Sequence, residues 1–528
     1  MGVLRFFLLG TLGFLGAIAV LAGAIGGWGW WVLVAVVAAL LVLGCYDVVQ
    51  RRHSVLRNYP IIGHLRFLLE EIRPELQQYF IERNWDGRPF DRDTRSSIYQ
   101  RAKDIKEEQP FGTERDVDEP GYEYLVHSTR PVPPAATPPR VRIGGRDCTR
   151  PYDMALMNVS AMSFGSLSSN AIEALNRGAA RGGFAHDTGE GGVSPYHRHG
   201  GDLVWEIGSG YFGCRTADGG FDPERFRATA ADDQVKMVSL KLSQGAKPGI
   251  GGVLPGAKVS AEIAAARGVP VGEKCVSPPA HSVFSTPREL VRFIATMREL
   301  AGGKPAGFKL CLGSRVEFLA ICKAMLAEDV YPDFVIVDGG EGGTGAAPLE
   351  YEDHIGTPLT EGLLTVHNAL VGAGLRDRIK VGASGKVATG IDIVKRLVQG
   401  ADFTNSARSM MMAVGCIQAQ LCHTNTCPVG VATQDPKRIR ALHVPDKAER
   451  VFHYQQHCVE QAMQVMGSMG VTGPAGLRLD MLRRRIDHRE VLSYTELFPH
   501  LTPGELLRAP AGDWARDWEL ADADSFHP

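Results

Sequence analysis

The sequence lacks an excess of charge of either sign and has few cysteines for its length. Its 57 Lys and Arg residues nearly balance 59 Asp and Glu, which gives a formal net charge of −2. A chain without a basic field attracts phosphate backbones poorly, so we expect no nucleic-acid partner. Ten cysteines among 528 residues are too sparse for a disulfide framework, which indicates a reducing compartment for the folded part.

Short nucleotide-binding motifs are also missing or weak. The sequence has no Walker-type phosphate loop. Two stretches match G-x-G-x-x-G, Gly208–Gly213 and Gly340–Gly345, but neither opens a Rossmann unit. In a chain with 61 glycines such matches are weak, and we discount both as dinucleotide sites. Position 6 is Phe rather than Ser or Thr, so myristoylation is not indicated.

What the chain does have is a long apolar N-terminus. Phe6–Ile25 carries no charge, and such a helix is long enough to cross a hydrocarbon core of about 30 Å. A second apolar run, Trp28–Cys45, follows it, and arginines flank the pair at Arg5, Arg51, Arg52 and Arg57. The positive-inside rule then predicts a hairpin with both ends in the cytoplasm. A secretory signal cleaved near Ala22–Ala24 is the alternative, but it leaves the second run unexplained.

The rest of the chain indicates an α/β architecture. We predict two transmembrane helices (1–50), a helical juxtamembrane segment with a Pro-rich linker (51–140), a barrel domain (141–430) and a C-terminal helical segment (431–528). Eight strand–helix units in about 260 residues are typical of a (β/α)8 TIM barrel. A doubly wound sheet is the alternative, because alternation alone does not separate open from closed sheets.

The barrel prediction places functional residues after strands. The candidate strands are Met157–Ala161, Phe184–Asp187, Met237–Lys241, Cys275–Ser277, Gly307–Cys311, Phe334–Asp338, Ile379–Gly382 and Asp402–Asn405. Barrel active sites form at the C-terminal ends of the strands. Small residues follow the last two candidates, at Gly382–Gly385 and Ser406–Ala407, where backbone N–H groups could reach phosphate oxygens. The sequence therefore implies a phosphate-bearing cofactor.

Basic residues gather after the third candidate strand. Lys241 and Lys247 lie six apart with Gln244 between them, and Arg267 follows one helix later. Converging cations suit a dicarboxylate or a 2-oxo acid. The alternative is that Lys241 points outward and Arg267 simply ends a helix. Glu190, in a Gly-flanked turn after the second candidate strand, is either a turn residue or a group that stabilises a cation or relays a proton.

A cysteine-rich segment, residues 415–430, follows the barrel pattern. Cys416, Cys422 and Cys427 form a C-x5-C-x4-C pattern before Pro428. A cysteine run that ends in Cys-Pro is typical of iron–sulfur ligation. Three thiolates suit a three-iron cluster, or a four-iron cluster with a distant fourth ligand. Zinc with His423 as fourth ligand is an alternative, although structural zinc sites usually have tighter spacings; three buried core cysteines are another.

Six ordered motifs together resemble the FMN-binding synthase domain of the glutamate synthases over roughly residues 150–470. They are Ala161–Ser166, Thr188–Gly192, Gln244–Gly256, Ser277–His281, Gly342–Pro348 and Cys416–Gln434. The resemblance implies an FMN- and iron–sulfur-dependent oxidoreductase. Such an enzyme forms 2-iminoglutarate from 2-oxoglutarate and ammonia, and reduces it to L-glutamate with hydride from reduced FMN. The cysteines would hold a [3Fe-4S] cluster that passes electrons to the flavin.

The resemblance also implies residue roles. Substrate binding falls on Lys241, Gln244, Lys247 and Arg267, and catalysis on Glu190 and Lys247. The expected FMN-binding residues are Ala161, Met162, Ser163, Lys309, Gly343, Ser384, Gly385, Ser406 and Ala407.

Three departures from the family pattern modify these expectations. Ile250 and Val253 replace a charged and a polar residue beside the oxo-acid site, which should weaken or redirect substrate binding. No glutaminase domain or nucleophilic Cys opens the chain, so we expect free ammonia or a glutaminase partner. The hairpin predicts a multi-pass protein of the cytoplasmic (inner) membrane with its catalytic domain facing the cytoplasm.

The sequence leaves the electron donor open among ferredoxin, a nicotinamide-oxidising partner and a quinone-linked one. It also leaves two functional alternatives. The first is a related flavoprotein that acts on a different imine or makes an N-substituted glutamate, which Ile250 and Val253 favour. The second is a non-catalytic electron-transfer subunit of a membrane complex.

Overall fold

The computed structural model describes residues 2–105 and 107–527 and divides into two compact units, one through Arg92 and one from Asp93 onward. The first unit contains the helices α1 (Gly2–Ile25), α2 (Gly29–Val49), α3 (Ser54–Asn58) and α4 (Gly63–Leu76), followed by a π-helical turn (Gln77–Ile81).

The helices α1 and α2 form the predicted apolar hairpin. Phe7–Ile25 and Gly29–Val49 are each long and apolar enough to cross a membrane. Glycines let the two helices approach closely: a Cβ at Gly16 would lie 3.2 Å from Val37 Cγ1, and one at Gly44 would lie 2.5 Å from Leu9 Cδ2. Small residues at such contacts are typical of helix pairs in membranes.

The second unit contains the remaining elements. Its helices are α5 (Arg92–Ala102), α6 (Ser169–Gly182), α7 (Pro223–Ala230), α8 (Ala261–Arg267), α9 (Pro287–Leu300), α10 (Arg315–Glu328), α11 (Leu349–His354), α12 (Leu359–Gly372), α13 (Gly390–Val398), α14 (Arg408–Val414), α15 (Pro436–Ile439), α16 (Val444–Ser468), α17 (Tyr494–Leu497), α18 (Glu505–Arg508) and α19 (Gly512–Leu520). Its strands are β1 (Glu123–Leu125), β2 (Arg140–Ile143), β3 (Tyr152–Ala155), β4 (Met157–Val159), β5 (His186–Asp187), β6 (Leu203–Ile207), β7 (Val235–Lys241), β8 (Val253–Leu254), β9 (Cys275–Val276), β10 (Ala306–Leu310), β11 (Phe334–Asp338), β12 (Lys380–Ser384), β13 (Phe403–Ser406), β14 (Leu482–Arg485) and β15 (Val491–Ser493).

Eight of these strands close into a barrel, in the order β4-β5-β6-β7-β10-β11-β12-β13, with β13 pairing back to β4. All neighbouring pairs are parallel. Their carboxyl ends therefore meet at one rim, where Lys241 pairs with Lys309 and Asp338 pairs with Ser384 in register. The predicted (β/α)8 barrel is confirmed, and the doubly wound alternative is wrong.

Two strand predictions need correction. The third barrel strand is β6, a segment that the sequence pattern missed, and the predicted strand Cys275–Ser277 is not in the barrel. Its residues Cys275 and Val276 form β9, which pairs antiparallel with β8 in a separate two-stranded sheet. A charged residue, Glu206, interrupts the apolar run of β6. Its charge is compensated inside the barrel by Lys309, a partner that local sequence does not reveal.

Three helices around the barrel, α6, α9 and α13, are amphipathic and begin at a capping Ser or Thr. Helix α6 starts at Ser168, whose Oγ accepts the Ala171 N–H, and it ends at Gly183 with φ +61°. This left-handed conformation favours glycine. The buried residues of α6 include Ile172 and Leu175, and α16 packs along α6. The flanking segments are thus helical as predicted, although β1, β14 and β15 add a small sheet.

One buried carboxylate joins three elements at the amino-terminal end of the barrel. Asp333, just before β11, is 1% exposed. Its Oδ1 accepts the Gly145 N–H at 2.6 Å, and its Oδ2 accepts the Ala306 N–H and the Arg298 Nε–H, both at 2.8 Å. Because each hydrogen bond reaches a different part of the chain, Asp333 fixes β10, α9 and the segment after β2 together.

Candidate active site

A buried ion pair lies at the carboxyl rim of the barrel. Glu190 follows β5, and Lys241 is the last residue of β7. The Lys241 Nζ lies 3.0 Å from Glu190 Oε1 and donates to Gln244 Oε1 at 2.6 Å. The Gln244 Nε2 in turn donates to Thr344 Oγ1 at 3.2 Å. The structure therefore brings Glu190, Lys241 and Gln244 into one hydrogen-bonded group.

Two further cations surround this group and set its charge state. Burial would raise the pKa of Glu190, but Lys241, Arg267 and Lys247 together lower it below its usual value. Burial and then the charge of Lys241 lower the pKa of Lys247 to about 8, partly offset by Glu190. The Lys247 Nζ donates to the Ala346 carbonyl at 2.9 Å. Glu190 is thus an anion at neutral pH, beside a lysine that can lose its proton near pH 8.

Arg267 connects this rim to the loop after β4. It is the last residue of α8 and is 5% exposed. Its Nη2 lies 3.3 Å from Ser163 Oγ and donates to the Phe164 carbonyl at 3.2 Å. Its Cζ lies 5.1 Å from the centroid of the Phe212 ring. The buried Nε has no hydrogen-bond partner among the described residues, and an orphan buried donor of this kind is suited to an anionic ligand.

Two glycines allow loops to close over the Glu190 carboxylate. A Cβ at Gly252 would lie 2.0 Å from Glu190 Oε1, and one at Gly208 would lie 2.5 Å from Oε2. Only a residue without a side chain permits this approach. Gly252 lies between Ile250 and Val253, so the loop that carries both departures from the family pattern rests directly on Glu190.

The ends of β12 and β13 fit a phosphate group. Ser384 and Ser406 close these strands, and Gly385 follows with φ +141°. Helix α14 begins directly after Ala407, whose side chain gives its first-turn amides no cap. On the other side, a Cβ at Gly343 would lie 2.7 Å from Arg408 Nε, so the absence of a side chain at Gly343 lets the Arg408 guanidinium approach this corner. Arg408 was not among the predicted site residues.

The remaining predicted cofactor residues lie on the loop after β4 and inside the barrel. Ala161, Met162 and Ser163 follow β4, and a Cβ at Gly189 would lie 2.7 Å from the Ser163 nitrogen. Lys309 is buried in β10, where its Nζ contacts Glu206 Oε2. Burial alone would lower the pKa of Lys309, but Glu206, Asp187 and Asp338 raise it above its usual value.

Sequence reasoning missed the two acidic partners of Lys309. Glu206 is 2% exposed, and so is Asp187. Burial and the charge of Glu206 raise the pKa of Asp187 well above its usual value, against the opposing charge of Lys309. Asp187 ends a predicted strand and Glu206 interrupts a Leu-Val-Trp-Glu-Ile run. The one sequence signal for these two acidic residues was the presence of a charge in or at the end of a β-rich apolar run.

The three cysteines line one small pocket, together with Leu421, Pro428 and Val431 among others. Among the described residues, no three His, Cys, Asp or Glu side chains are placed to hold a single metal ion, and His423 is exposed. In an iron–sulfur cluster each cysteine binds a different iron, so its ligands stand farther apart than those of one zinc ion. Three thiols that line one pocket are a soft donor set of the kind that iron–sulfur clusters use.

Hydrogen bonds connect residues beside the cysteine segment to the barrel rim. Gln434 Nε2 donates to the Gly165 and Leu167 carbonyls at 3.1 and 2.9 Å. Lys258, whose charge lies close to Cys422 and Cys427, donates from Nζ to the Ser166 carbonyl at 3.0 Å. The loop after β4 therefore lies between the cysteine pocket and the group around Glu190, and only a few residues of this loop separate the two.

Comparisons with known proteins find related sequences over most of the chain. A family described as a conserved region in glutamate synthase matches residues 147–472. The glutamate synthase large subunit-like protein YerD of Bacillus subtilis is 39% identical over 469 residues, which cover 81% of this chain and 89% of that protein. The archaeal glutamate synthase (NADPH) of Methanocaldococcus jannaschii is 32% identical over 326 residues, which cover 61% of this chain and 60% of that protein.

Among solved structures, the flavin-binding domain of baker's yeast flavocytochrome b2 is similar with a TM-score of 0.42 and 12% identity, covering 79% of this chain and 84% of that one. The family match spans more than half of the sequence, and the YerD similarity extends over most of it. The chain therefore belongs to the glutamate synthase family of oxidoreductases.

Proposed function

We propose that this protein is a membrane-anchored enzyme that converts 2-oxoglutarate and ammonia, through 2-iminoglutarate, into L-glutamate. The buried group around Glu190 is the observation that carries this proposal. The group contains three cationic side chains, Lys241, Lys247 and Arg267, and the single carboxylate of Glu190. Its net charge of two positive charges matches the two carboxylates of 2-oxoglutarate. Desolvated carboxylates require fixed cationic partners of this kind.

The individual groups have different roles in substrate binding and in protonation of the imine. Arg267, with its unpartnered Nε, and Lys247 bind the carboxylates. Gln244 holds the Lys241 ammonium in place through its Oε1. The Glu190 carboxylate stabilises the positive charge that an imine gains on protonation, because its own pKa keeps it ionised. A protonated imine is the better hydride acceptor, so Glu190 favours the reactive form.

The cofactor that the family and the barrel corner imply is FMN. When bound, FMN supplies the hydride that reduces the imine. Ser384, Gly385, Ser406 and Ala407, with the first amides of α14, Gly343 and Arg408, would hold its phosphate. Ala161, Met162, Ser163 and Lys309 would border its ring system. The barrel loops exclude water from this rim, since Glu190 and Lys241 side chains are only 15% and 9% exposed.

We propose an iron–sulfur cluster, of [3Fe-4S] type, on Cys416, Cys422 and Cys427, where it would supply one-electron transfer. The variant Cys427→Ser is expected to lose the visible absorption of the cluster and most of the bound iron, because a serine oxygen replaces a soft thiolate ligand. Iron content and electron paramagnetic resonance of anaerobically purified protein measure the loss. Cys148→Ser is the matched control, since Cys148 lies outside the pocket. Equal iron in both variants contradicts the assignment.

We further propose that α1 and α2 anchor the protein in the cytoplasmic membrane with the barrel on the cytoplasmic side. The apolar faces of both helices are exposed to the surroundings, and Arg51, Arg52 and Arg57 follow α2, as the positive-inside rule requires. Ammonia is taken up free or from a glutaminase partner. The electron donor is a ferredoxin, a nicotinamide-oxidising protein or a quinone-linked partner.

A second candidate function is the reduction of a different imine, or the formation of an N-substituted glutamate. The loop that rests on Glu190 carries Ile250 and Val253, and apolar side chains there favour an apolar substituent on the imine nitrogen. Anaerobic stopped-flow distinguishes the candidates. Reduced protein in detergent is mixed with 2-oxoglutarate and either ammonium or a primary amine, and flavin reoxidation is followed with analysis of the product.

Flavin reoxidation that needs both 2-oxoglutarate and ammonium, with glutamate as product, supports the proposal. A stronger response to the amine supports the second candidate. If the reduced flavin reacts with none of these compounds, both candidate functions are contradicted, and a non-catalytic electron-transfer subunit is the remaining alternative.

Lys247→Ala is expected to weaken 2-oxoglutarate binding and to remove its pH dependence. Because the pKa of Lys247 is about 8, its ammonium is present below pH 8 and lost above it. Affinity in the unaltered protein should therefore fall about tenfold for each pH unit above 8. Titration of the flavin spectrum with 2-oxoglutarate between about pH 6.5 and 9.5, on both sides of the Lys247 transition, measures the effect. FMN content is the control, and unchanged affinity in the variant contradicts the role of Lys247.

A further inference from the structure

Helix α4 of the first unit has an uncovered apolar face. Leucines and an isoleucine recur at intervals of three and four residues, at Leu65, Leu68, Leu69, Ile72 and Leu76. This spacing places all five on one side of a helix. Their exposed fractions range from 55% for Leu65 to 38% for Leu76. The opposite side carries charged residues, including Glu70 and Glu71, so α4 is amphipathic and its apolar side faces outward.

The start of α4 is fixed at the end of the apolar hairpin. Asp47, two residues before the end of α2, is fully buried. Its Oδ2 accepts the Ile61 N–H at 2.9 Å, and its carboxylate lies 3.0 Å from His64 Nε2. Ile61 also packs on α2, since a Cβ at Gly44 would lie 3.2 Å from Ile61 Cδ1. These contacts hold the first turn of α4 beside the last turns of α2, where a spanning helix would leave the hydrocarbon.

From this geometry we infer that α4 is an in-plane membrane helix, which lays its apolar face on the lipid surface that α1 and α2 cross. The inference rests on the membrane anchoring proposed above. The chain from Gln50 to Leu76 carries five arginines and three glutamates, and this basic excess complements anionic headgroups. An amphipathic helix in such a position buries its apolar side at the boundary between headgroups and acyl chains. The second unit then follows a segment that is held at the membrane both by the hairpin of α1 and α2 and by α4.

The test uses the full-length protein in vesicles of phosphatidylcholine and phosphatidylglycerol. A genetically encoded, polarity-sensitive fluorescent amino acid replaces Leu69, Glu71 or Val36 in separate variants, which leaves the native cysteines untouched. Leu69 and Glu71 lie on opposite sides of α4 and Val36 is 51% exposed on α2, so all three tolerate a larger side chain. Quenching is measured with aqueous iodide and with lipids spin-labelled near the headgroup or deep in the acyl chain.

The expected result is that the probe at 69 is quenched by the shallow spin label and is severalfold less sensitive to iodide than the probe at 71. Equal iodide quenching at 69 and 71 overturns the inference, because both sides of α4 then face water. Protection of 69 from iodide without quenching by any lipid also overturns it, and indicates that a second copy or another protein covers the face. The probe at 36 tests the anchoring itself: if it escapes the deep label, the anchoring proposal fails and the inference with it.

Discussion

Replacing Lys241 with Met is expected to lower the proposed rate of glutamate formation by about 10²–10⁴-fold, the range typical when a group that governs proton transfer is disabled. The Lys241 ammonium contacts both Glu190 and Gln244. Without it, the burial of Glu190 is opposed only by Arg267 and Lys247, so the pKa of that carboxyl rises. Steady-state rates with 2-oxoglutarate and ammonium, normalised to FMN content, measure the loss.

The pH profile separates this mechanism from simple damage to the fold. In the variant, Glu190 takes up a proton at a higher pH, so kcat/KM falls with decreasing pH in a range where the unaltered protein is flat. Lys236→Met is the matched control, because Lys236 lies on the same strand and pairs with Asp202 at 3.6 Å, away from the rim. A near-normal rate in Lys241→Met, or the same pH profile in both proteins, contradicts the role of the ion pair.

Asp333→Ala is expected to lower the free energy of unfolding by about 3–5 kcal/mol, the cost of leaving a buried charge without its partner. The change removes the acceptor for three donors, among them the Nε of Arg298, whose side chain is 6% exposed. Thermal unfolding followed by circular dichroism, with urea midpoints as a second measure, gives the change.

Asp377→Ala is the control for this experiment, since Asp377 lies on the surface of the same unit. Asp333→Asn keeps an acceptor for Gly145 but turns an amide toward Arg298, so an intermediate loss is expected. If Asp333→Ala unfolds at the same midpoint as Asp377→Ala, the three-way connection contributes nothing to stability.

The sequence predicted the barrel because strand-like and helical runs alternate with a regular spacing. It failed at β6, because the Glu206 charge in that run is neutralised by Lys309, which is 103 residues away. Residues 275–277 were predicted to be a barrel strand because a short β-rich run does not indicate which sheet the strand joins. Both errors arise from pairing between distant segments, which local pattern does not encode.

The candidate site was more predictable than its surroundings. Lys241, Gln244 and Glu190 were identified from strand ends and from the family resemblance, and the structure brings them into contact. The orphan Nε of Arg267, the closure of Gly208 and Gly252 on Glu190, and the Arg408 corner depend on loop paths. Loop paths are set by contacts between segments and are therefore visible only in three dimensions.

The small sheet of β8 and β9 makes the substrate rim modular. These two strands pair with each other and not with the barrel, and the segment between β7 and α9 that contains them also supplies Gly252, Ile250 and Arg267. Insertions or exchanges within β8 and β9 are therefore expected to leave the eight-strand closure intact. A graft that changes Ile250 and Val253 but keeps Gln244, Lys247, Gly252, Lys258 and Arg267 is therefore expected to alter the imine proposed above while it preserves the contacts to the cysteine segment.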